Sequence, residues 1–475
     1  MADHAPIGQL LAYCERIHFI PLFLAIALSD LTVDLGEKKK GPKLEGHSWK
    51  KKEYLSKTVE SRSVKRSYFS TNVRATNAFM KAVLHNRQQR RIFMRVLILG
   101  GAGSMALATI RDFLAFDSNE LAELVIADIN YEKAKKRADE LHNEKVSPAF
   151  CDVTDYANLV KLMRGCDIVI DETETAGVPT LKAALEAGVH IIDLGAWIEG
   201  TLEQLKLDAE FEKVGLTAIL GLGSSPGITN LYSRHIVDKL DTVESIHLSF
   251  AYAELTKTTL FVPFAGAIEE FTNKVTIFQD GKDVTLPPQS GQEDARFPDP
   301  IGARRLMYVP HPEVATFPIY FREKGIRNVS VKAGFAPEFI EKINFLINLG
   351  LLSKEPTKIK GITIAPEDVT MACISKLPQP AERIDYGCTR AVIIGEKNGE
   401  KIEYTVELFS HPYPALTGVQ HRTGHSPAIG ARMIRRGEIK KRGVFPPEVG
   451  IDPRKFFREL ARRELEVYYT AKHFV

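Results

Sequence analysis

From residue 94 onward, short apolar runs alternate with segments whose apolar residues recur every three or four positions. The runs predict strands at 95–99, 124–128, 146–150, 167–171, 190–194 and 216–221, each bounded by turn residues. The segments between them predict helices. Leu159, Leu162 and Met163 form one such face. Val178, Leu181 and Leu185 form another, with a proline in the first turn and Gly188 at the end. Strands apolar throughout, alternating with helices, predict an α/β fold: a doubly wound parallel sheet covered on both faces.

After about residue 227 the texture changes. Val243–Phe250 alternates like a strand with one wet face, and Asp280-Gly281 and Asn398-Gly399 lie between β-rich runs as hairpin turns. A helix is predicted at about 336–350, and the Pro-, Gly- and Gln-rich stretch 287–300 reads as a loop. This is an α+β region built on a mostly antiparallel sheet. Near the end, Ser426-Pro427 reads as a helix start and 453–464 as a second helix.

Chemistry enters at the first strand. Gly101-Ala-Gly103-Ser104-Met105-Ala106 follows it directly, and Asp128 closes the second. The first glycine permits a tight turn, and the second lets backbone N–H groups approach a pyrophosphate. The helix carrying Leu107, Ile110 and Leu114 aims its positive end at the same point. This Rossmann-like pattern predicts a dinucleotide held by Gly101, Gly103, Ser104 and Met105. Asp128 would accept from the adenosine ribose and repel a 2′-phosphate, which favours NAD, with NADP possible. Asp152, after the third strand, is a candidate for the adenine or a turn former, and Asp171 ends the fourth strand on the cofactor side.

Composition narrows the picture. Residues 1–93 hold 17 Lys+Arg against 8 Asp+Glu, and the remainder 46 against 52, so the basic excess belongs to the first stretch. The rest shows no nucleic-acid footprint. The apolar run Phe19–Leu28 is too short for a membrane span and contains a proline. Residues 61–91 share the composition of some transit peptides, yet Met94 stands immediately before the first strand; 1–93 are expected to be a basic, disordered extension. Five scattered cysteines without CxxC or zinc spacing predict no metal site, a reducing cytoplasm and small buried hydrophobes.

Several stretches resemble the saccharopine dehydrogenase-like family, and lysine 6-dehydrogenases within it. They are Val96–Gly103, Pro179–Gly195, Gly221–Asn230, Ile268-Glu-Glu-Phe271, and Thr423-Gly424 through Gly443–Glu448, in the family's order. The resemblance implies a nicotinamide-dependent oxidoreductase acting on an amine carbon of an amino acid, with a polyamine derivative as a further substrate, assembled as a homodimer or homotetramer. It also implies a Rossmann domain at 94–227, an inserted α+β domain at 228–420, and helices at 421–475 returning to the first domain.

Ligands of an open parallel sheet bind beyond the carboxyl ends of its strands. There Asp193 is the first candidate to orient the amine or take its proton, or else it caps the next turn. Ser224, Ser225 and Thr423 are candidates for holding substrate, and His425 for acid–base work from a loop that closes over the site. Glu172 and Glu174 depart from the family pattern; they attract a cationic amine or face solvent. His311, between two prolines, reads as loop structure. A different class of function also fits: a dinucleotide-binding sensor or scaffold without catalysis.

Overall fold

Strand β1 (Met94–Leu99) sends Val96 and Ile98 into one buried cluster and Leu97 and Leu99 into another. The unbroken apolar run thus reflects a strand covered on both faces. Each such side chain contributes about 1.5–3 kcal/mol of transfer free energy. The computed structural model describes residues 93–173, 175, 177–195, 197–254, 264–377 and 384–474, all within one compact unit. Expectations placed on residues 1–92 and on Glu174 lie outside the described residues.

The first sheet continues with β2 (Leu121–Asp128), β3 (Val146–Phe150), β4 (Ile168–Asp171), β5 (His190–Asp193) and β6 (Thr217–Ile219), and gains β17 (Gly443–Phe445) late in the chain. Its seven strands are parallel, in the order β17-β6-β5-β4-β1-β2-β3. The order reverses between β1 and β4, which opens a crevice at their carboxyl ends. Helices α1 (Ala106–Ala115), α2 (Tyr131–Leu141), α3 (Tyr156–Met163), α4 (Val178–Ala187), α5 (Ile198–Leu205) and α6 (Asp208–Lys213) link these strands, and α7 (Ile228–Val237) leads away. Gly188 ends α4 in the left-handed conformation, as its position after the last apolar residue predicts.

The second sheet has nine strands and is mixed, mostly antiparallel. Its path runs β10 (Glu293–Arg296), β11 (Ala303–Tyr308), β12 (Asn328–Phe335), β7 (Thr242–Glu254), β15 (Asp385–Lys397), β16 (Glu400–Ser410) and β18 (Val467–His473). β8 (Val275–Gln279) and β9 (Lys282–Leu286) attach to β12, and β13 (Thr357–Ile359) pairs only with β14 (Ile362–Ile364). Within it β12 and β7 run parallel. Asp280-Gly281 and Asn398-Gly399 both carry two successive positive φ angles, the geometry of a two-residue hairpin turn. The stretch expected to be loop at 287–300 contains β10, because Glu293–Arg296 pairs with β11 despite its polar sequence.

Helices α8 (Phe264–Thr272), α9 (Glu313–Tyr320), α10 (Pro337–Asn348) and α11 (Pro366–Ile374) accompany this sheet; α12 (Gly418–Arg435), α13 (Pro447–Gly450) and α14 (Pro453–Ala461) follow it. The sequence places the start of α12 at Ser426-Pro427, but it begins at Gly418. Thr417 accepts from the Gln420 amide, and Gln420 returns a bond to the Thr417 N–H. Pro427 is accommodated inside the helix, so Thr423 and His425 are helical rather than part of a closing loop. Of the cysteines, Cys151 and Cys388 are buried as expected of small hydrophobes, whereas Cys373 is exposed on α11. Among the described residues no helix is long and apolar enough to cross a membrane.

Candidate active site

Two features meet the crevice: the glycine turn after β1, and a cavity walled by loops of the first sheet, strands of the second, and α12. In the turn, a Cβ on Gly103 would lie 2.9 Å from the Gly100 carbonyl oxygen, and one on Gly101 would lie 2.5 Å from Ile126 Cγ2. Glycine is therefore required at both places. Met105, at the start of α1, gives no side-chain cap to the helix, so the helix's positive end is available to an anion. Asp128 Oδ2 accepts from the Ala102 amide at 3.0 Å and Oδ1 from the Asn130 amide at 2.8 Å, which fixes the carboxylate at the end of β2. Arg137, on α2, donates to the Gly101 and Gly103 carbonyls and braces the turn from outside. Gln420 of α12 donates to the Ser104 carbonyl and hydroxyl oxygens. This cradle fits the diphosphate and adenosine ribose of a dinucleotide: Gly101, Gly103, Ser104, Met105 and Asp128 adjoin one another at one end of the sheet.

The two remaining cofactor candidates are occupied locally. Asp152 Oδ1 accepts from the amide and hydroxyl of Thr154, the bonds of a turn former. Asp171 Oδ1 does the same with Thr173. Asp193 is buried at the end of β5. Its Oδ1 accepts from the Gly221 and Gly195 amides and its Oδ2 from Gln204. Burial pushes it up to about 6 against those bonds. Oδ1 holds two backbone amides in place and Oδ2 the Gln204 side chain, so the residue ties the β5 and β6 loops together and does not line the cavity.

The cavity, about 180 Å³, is lined by Ser224, Ser225, Phe250, Tyr252, Glu270, His311, Thr389, Val419, Arg422 and Thr423. The three substrate candidates Ser224, Ser225 and Thr423 come together here; His425 does not. His425 Nδ1 sits 2.6 Å from Asp112 Oδ2 in a buried cluster with Arg432 and Arg463. Those partners hold Asp112 far below the usual carboxylate range although burial alone would raise it. The cluster joins α1, α12 and the turn after α14.

The strongest acid–base set in the cavity is absent from the sequence candidates. His311 Nδ1 lies 2.8 Å from Glu313 Oε2, and Glu313 Oε1 accepts from Ser225 at 2.8 Å and Thr229 at 2.9 Å. Burial would lower His311, yet the Glu313 carboxylate outweighs it and raises the imidazole. Glu313 in turn is lowered by His311 against its own desolvation. Glu270, on α8, faces His311 from another element. Burial pushes it up to about 7, and its Oε2 has no hydrogen-bond partner among the described residues. Arg422, on α12, is buried beside Gly387, where any side chain would collide with the guanidinium. It donates to Ser410; burial lowers its pKa from the usual arginine value, and Asp385 partly offsets this by favouring the charge. One sequence signal pointed here: Glu270 lies in the Ile268–Phe271 stretch that carries the family resemblance.

A parallel sheet with a glycine turn at its switch point, facing a polar cavity with a buried arginine and titratable acids, defines a dinucleotide-binding oxidoreductase class. The comparisons specify it. Residues 96–219 match the model of the saccharopine dehydrogenase NADP binding domain, and residues 223–465 that of the saccharopine dehydrogenase C-terminal domain. The chain belongs to the saccharopine dehydrogenase family, a family of nicotinamide-dinucleotide oxidoreductases. It is 23% identical over 397 residues to a carboxyaminopropylagmatine dehydrogenase of Synechocystis, covering 78% of this chain and 96% of that protein. It is 22% identical over 383 residues to a carboxynorspermidine synthase of Vibrio alginolyticus, covering 73% and 90%. The fold matches that of the apo saccharopine dehydrogenase (L-Glu forming) of Saccharomyces cerevisiae, with a TM-score of 0.63 at 17% identity, covering 80% of this chain and 100% of that one.

Proposed function

We propose that this protein is a nicotinamide-dependent oxidoreductase that makes or breaks the C–N bond of a carboxylated amine, through the imine. The observation that carries the reading is a single cavity pairing Arg422 with Glu270 and His311. A buried guanidinium suits a carboxylate, because it presents fixed paired donors. Glu270, poised near neutrality, suits an amine that must lose or gain a proton. Names of the two relatives, both carboxylated polyamine compounds, support the same substrate class. Saccharopine and lysine belong to it as well.

When bound, the nicotinamide accepts or supplies the hydride. The chain's own residues do the rest. Arg422 anchors the carboxylate and so fixes the reacting carbon. In the oxidative direction Glu270 takes the proton from the ammonium, which frees the nitrogen lone pair. The carbon–hydrogen bond then breaks with its electron pair, and a C=N bond forms. Water adds to the imine and releases a carbonyl compound and an amine; in the reverse direction Glu270 returns the proton. His311, held by Glu313, keeps positive charge beside Glu270 and stabilises its ionised form. Asp193 acts as a positioning residue for the β6 loop that carries Ser224 and Ser225.

NADP is the first choice of cofactor, on the family model's description and on Arg137 beside the glycine turn. Asp128 is the residue that favours NAD. With both oxygens fixed by backbone amides, it would sit close to a 2′-phosphate. Asp128→Asn is accordingly expected to tighten NADPH more than NADH in a fluorescence titration. The test of the activity is a panel of saccharopine, carboxynorspermidine, carboxyaminopropylagmatine and lysine, each with NADP or NAD, followed by absorbance of the reduced nicotinamide. Turnover of a carboxylated secondary amine supports the reading. Tight cofactor binding without turnover of any of them would favour the sensor or scaffold instead.

A further inference from the structure

Glu172 is the first residue past β4, at the switch point, and its main chain touches the glycine turn. A Cβ on Gly100 would lie 2.8 Å from the Glu172 carbonyl oxygen. Its side chain runs to α1, where Oε1 lies 2.5 Å from Thr109 Oγ1. The same Thr109 Oγ1 lies 2.8 Å from the carbonyl oxygen of Gly424 in α12. A hydroxyl has one hydrogen, and a carbonyl has none to give. Thr109 can give its hydrogen to only one of the two; given to Gly424, it leaves the shorter bond to be supplied by a hydrogen on Glu172. Oε2 is buried without a hydrogen-bond partner among the described residues, as suits an uncharged carboxyl group.

We propose that Glu172 is a positioning residue for the cofactor that works as a neutral acid, its proton linking β4, α1 and α12 beneath the glycine turn. The inference rests on the nicotinamide reading of that turn. Loss of the proton would break the Glu172–Thr109–Gly424 chain and place a carboxylate beside the loop that receives an anionic diphosphate. Among the described residues, two charged groups bear on Glu172. Asp171, on its own strand, disfavours its ionisation, and Arg137, on α2, favours it; α1 and α12 present Thr109 and the Gly424 carbonyl. Burial is the largest influence and pushes the group up to about 7. Its folded-state value is raised, so the neutral form holds below neutrality and is lost as pH rises through about 7.

The test uses the full-length protein, wild type and Glu172→Gln, whose amide donates to Thr109 at any pH. Equilibrium titration with NADH, which lacks a titrating 2′-phosphate, is repeated with NADPH. Wild-type affinity is expected to fall about tenfold between about pH 6 and about pH 8.5, with Glu172→Gln flat over the range, as one-proton linkage requires. Infrared difference spectra of the cofactor-free proteins should show a protonated carboxyl band at low pH in the wild type that is missing from Glu172→Gln, beside any bands from groups such as Glu270 that both proteins share. A pH-independent wild type, the same slope in both proteins, or no such band at pH 6 would overturn the proposal. Failure of both cofactors to bind either protein, with the band present, would instead remove the nicotinamide reading and with it the cofactor role assigned to Glu172.

Discussion

At the scale of single residues, function divides between groups that touch the cavity and groups that hold those in place. Arg422→Ala is expected to raise KM for a carboxylated amine about tenfold or more in steady-state kinetics, with a much smaller effect on cofactor affinity. Loss of a charge-assisted pair costs about 1.5–3 kcal/mol, so an unchanged KM would remove Arg422 from substrate binding. Glu270 is pushed up to about 7. Because the ionised form accepts the amine proton, the rate of oxidation should rise with pH through about that value, and Glu270→Gln should be slower and lose that limb. Legibility at this scale was partial. Ser224, Ser225 and Thr423 could be placed because each adjoins a strand end or a recognisable motif. His311 could not, since its role is set by Glu313, Ser225 and Glu270, and the last two stand far from it in sequence. His425 showed the opposite error. A histidine near a motif looks available, but here Asp112 holds its ring inside the protein.

At the scale of elements, local signals succeeded where they act locally. The glycine turn, the Gly188 helix end and the two hairpins follow from backbone conformations that few residues adopt. Gly103→Ala, with its Cβ 2.9 Å from the Gly100 oxygen, must displace the turn and should weaken cofactor binding about tenfold or more by fluorescence titration. The start of α12 was misread because Pro427 is a strong helix-start signal. The capping pair Thr417 and Gln420 outweighs it nine residues earlier. The polar strand β10 was missed for a related reason: its pairing with β11 is a tertiary fact that its own sequence does not encode.

At the scale of the whole molecule, the chain returns repeatedly to where it began. β17 adds to the first sheet beside β6, α12 packs on α1, and β18 closes the second sheet against β16. Asp112 is the electrostatic centre of that return, since His425, Arg432 and Arg463 all converge on it. Asp112→Ala would strip the buried Arg432 of its carboxylate and leave Arg463 only Glu459, and should cost about 3–5 kcal/mol in denaturant unfolding. Its carboxyl is depressed in the fold, so the stabilisation is full above the unfolded value near about 4 and disappears on acidification. The alternating pattern foretold both sheets. The cavity between them was not foretold, because it exists only where six separate segments of the chain face one another. The central claim is that this cavity delivers a C–N substrate to a nicotinamide held by the glycine turn. It is tested most directly by supplying NADPH deuterated at C4 with an amine and a carboxylated aldehyde, and weighing the product. The account predicts a secondary amine carrying one deuterium on the carbon beside nitrogen. Formation of that amine without the label, or no saturable binding of NADPH and NADH, would contradict it.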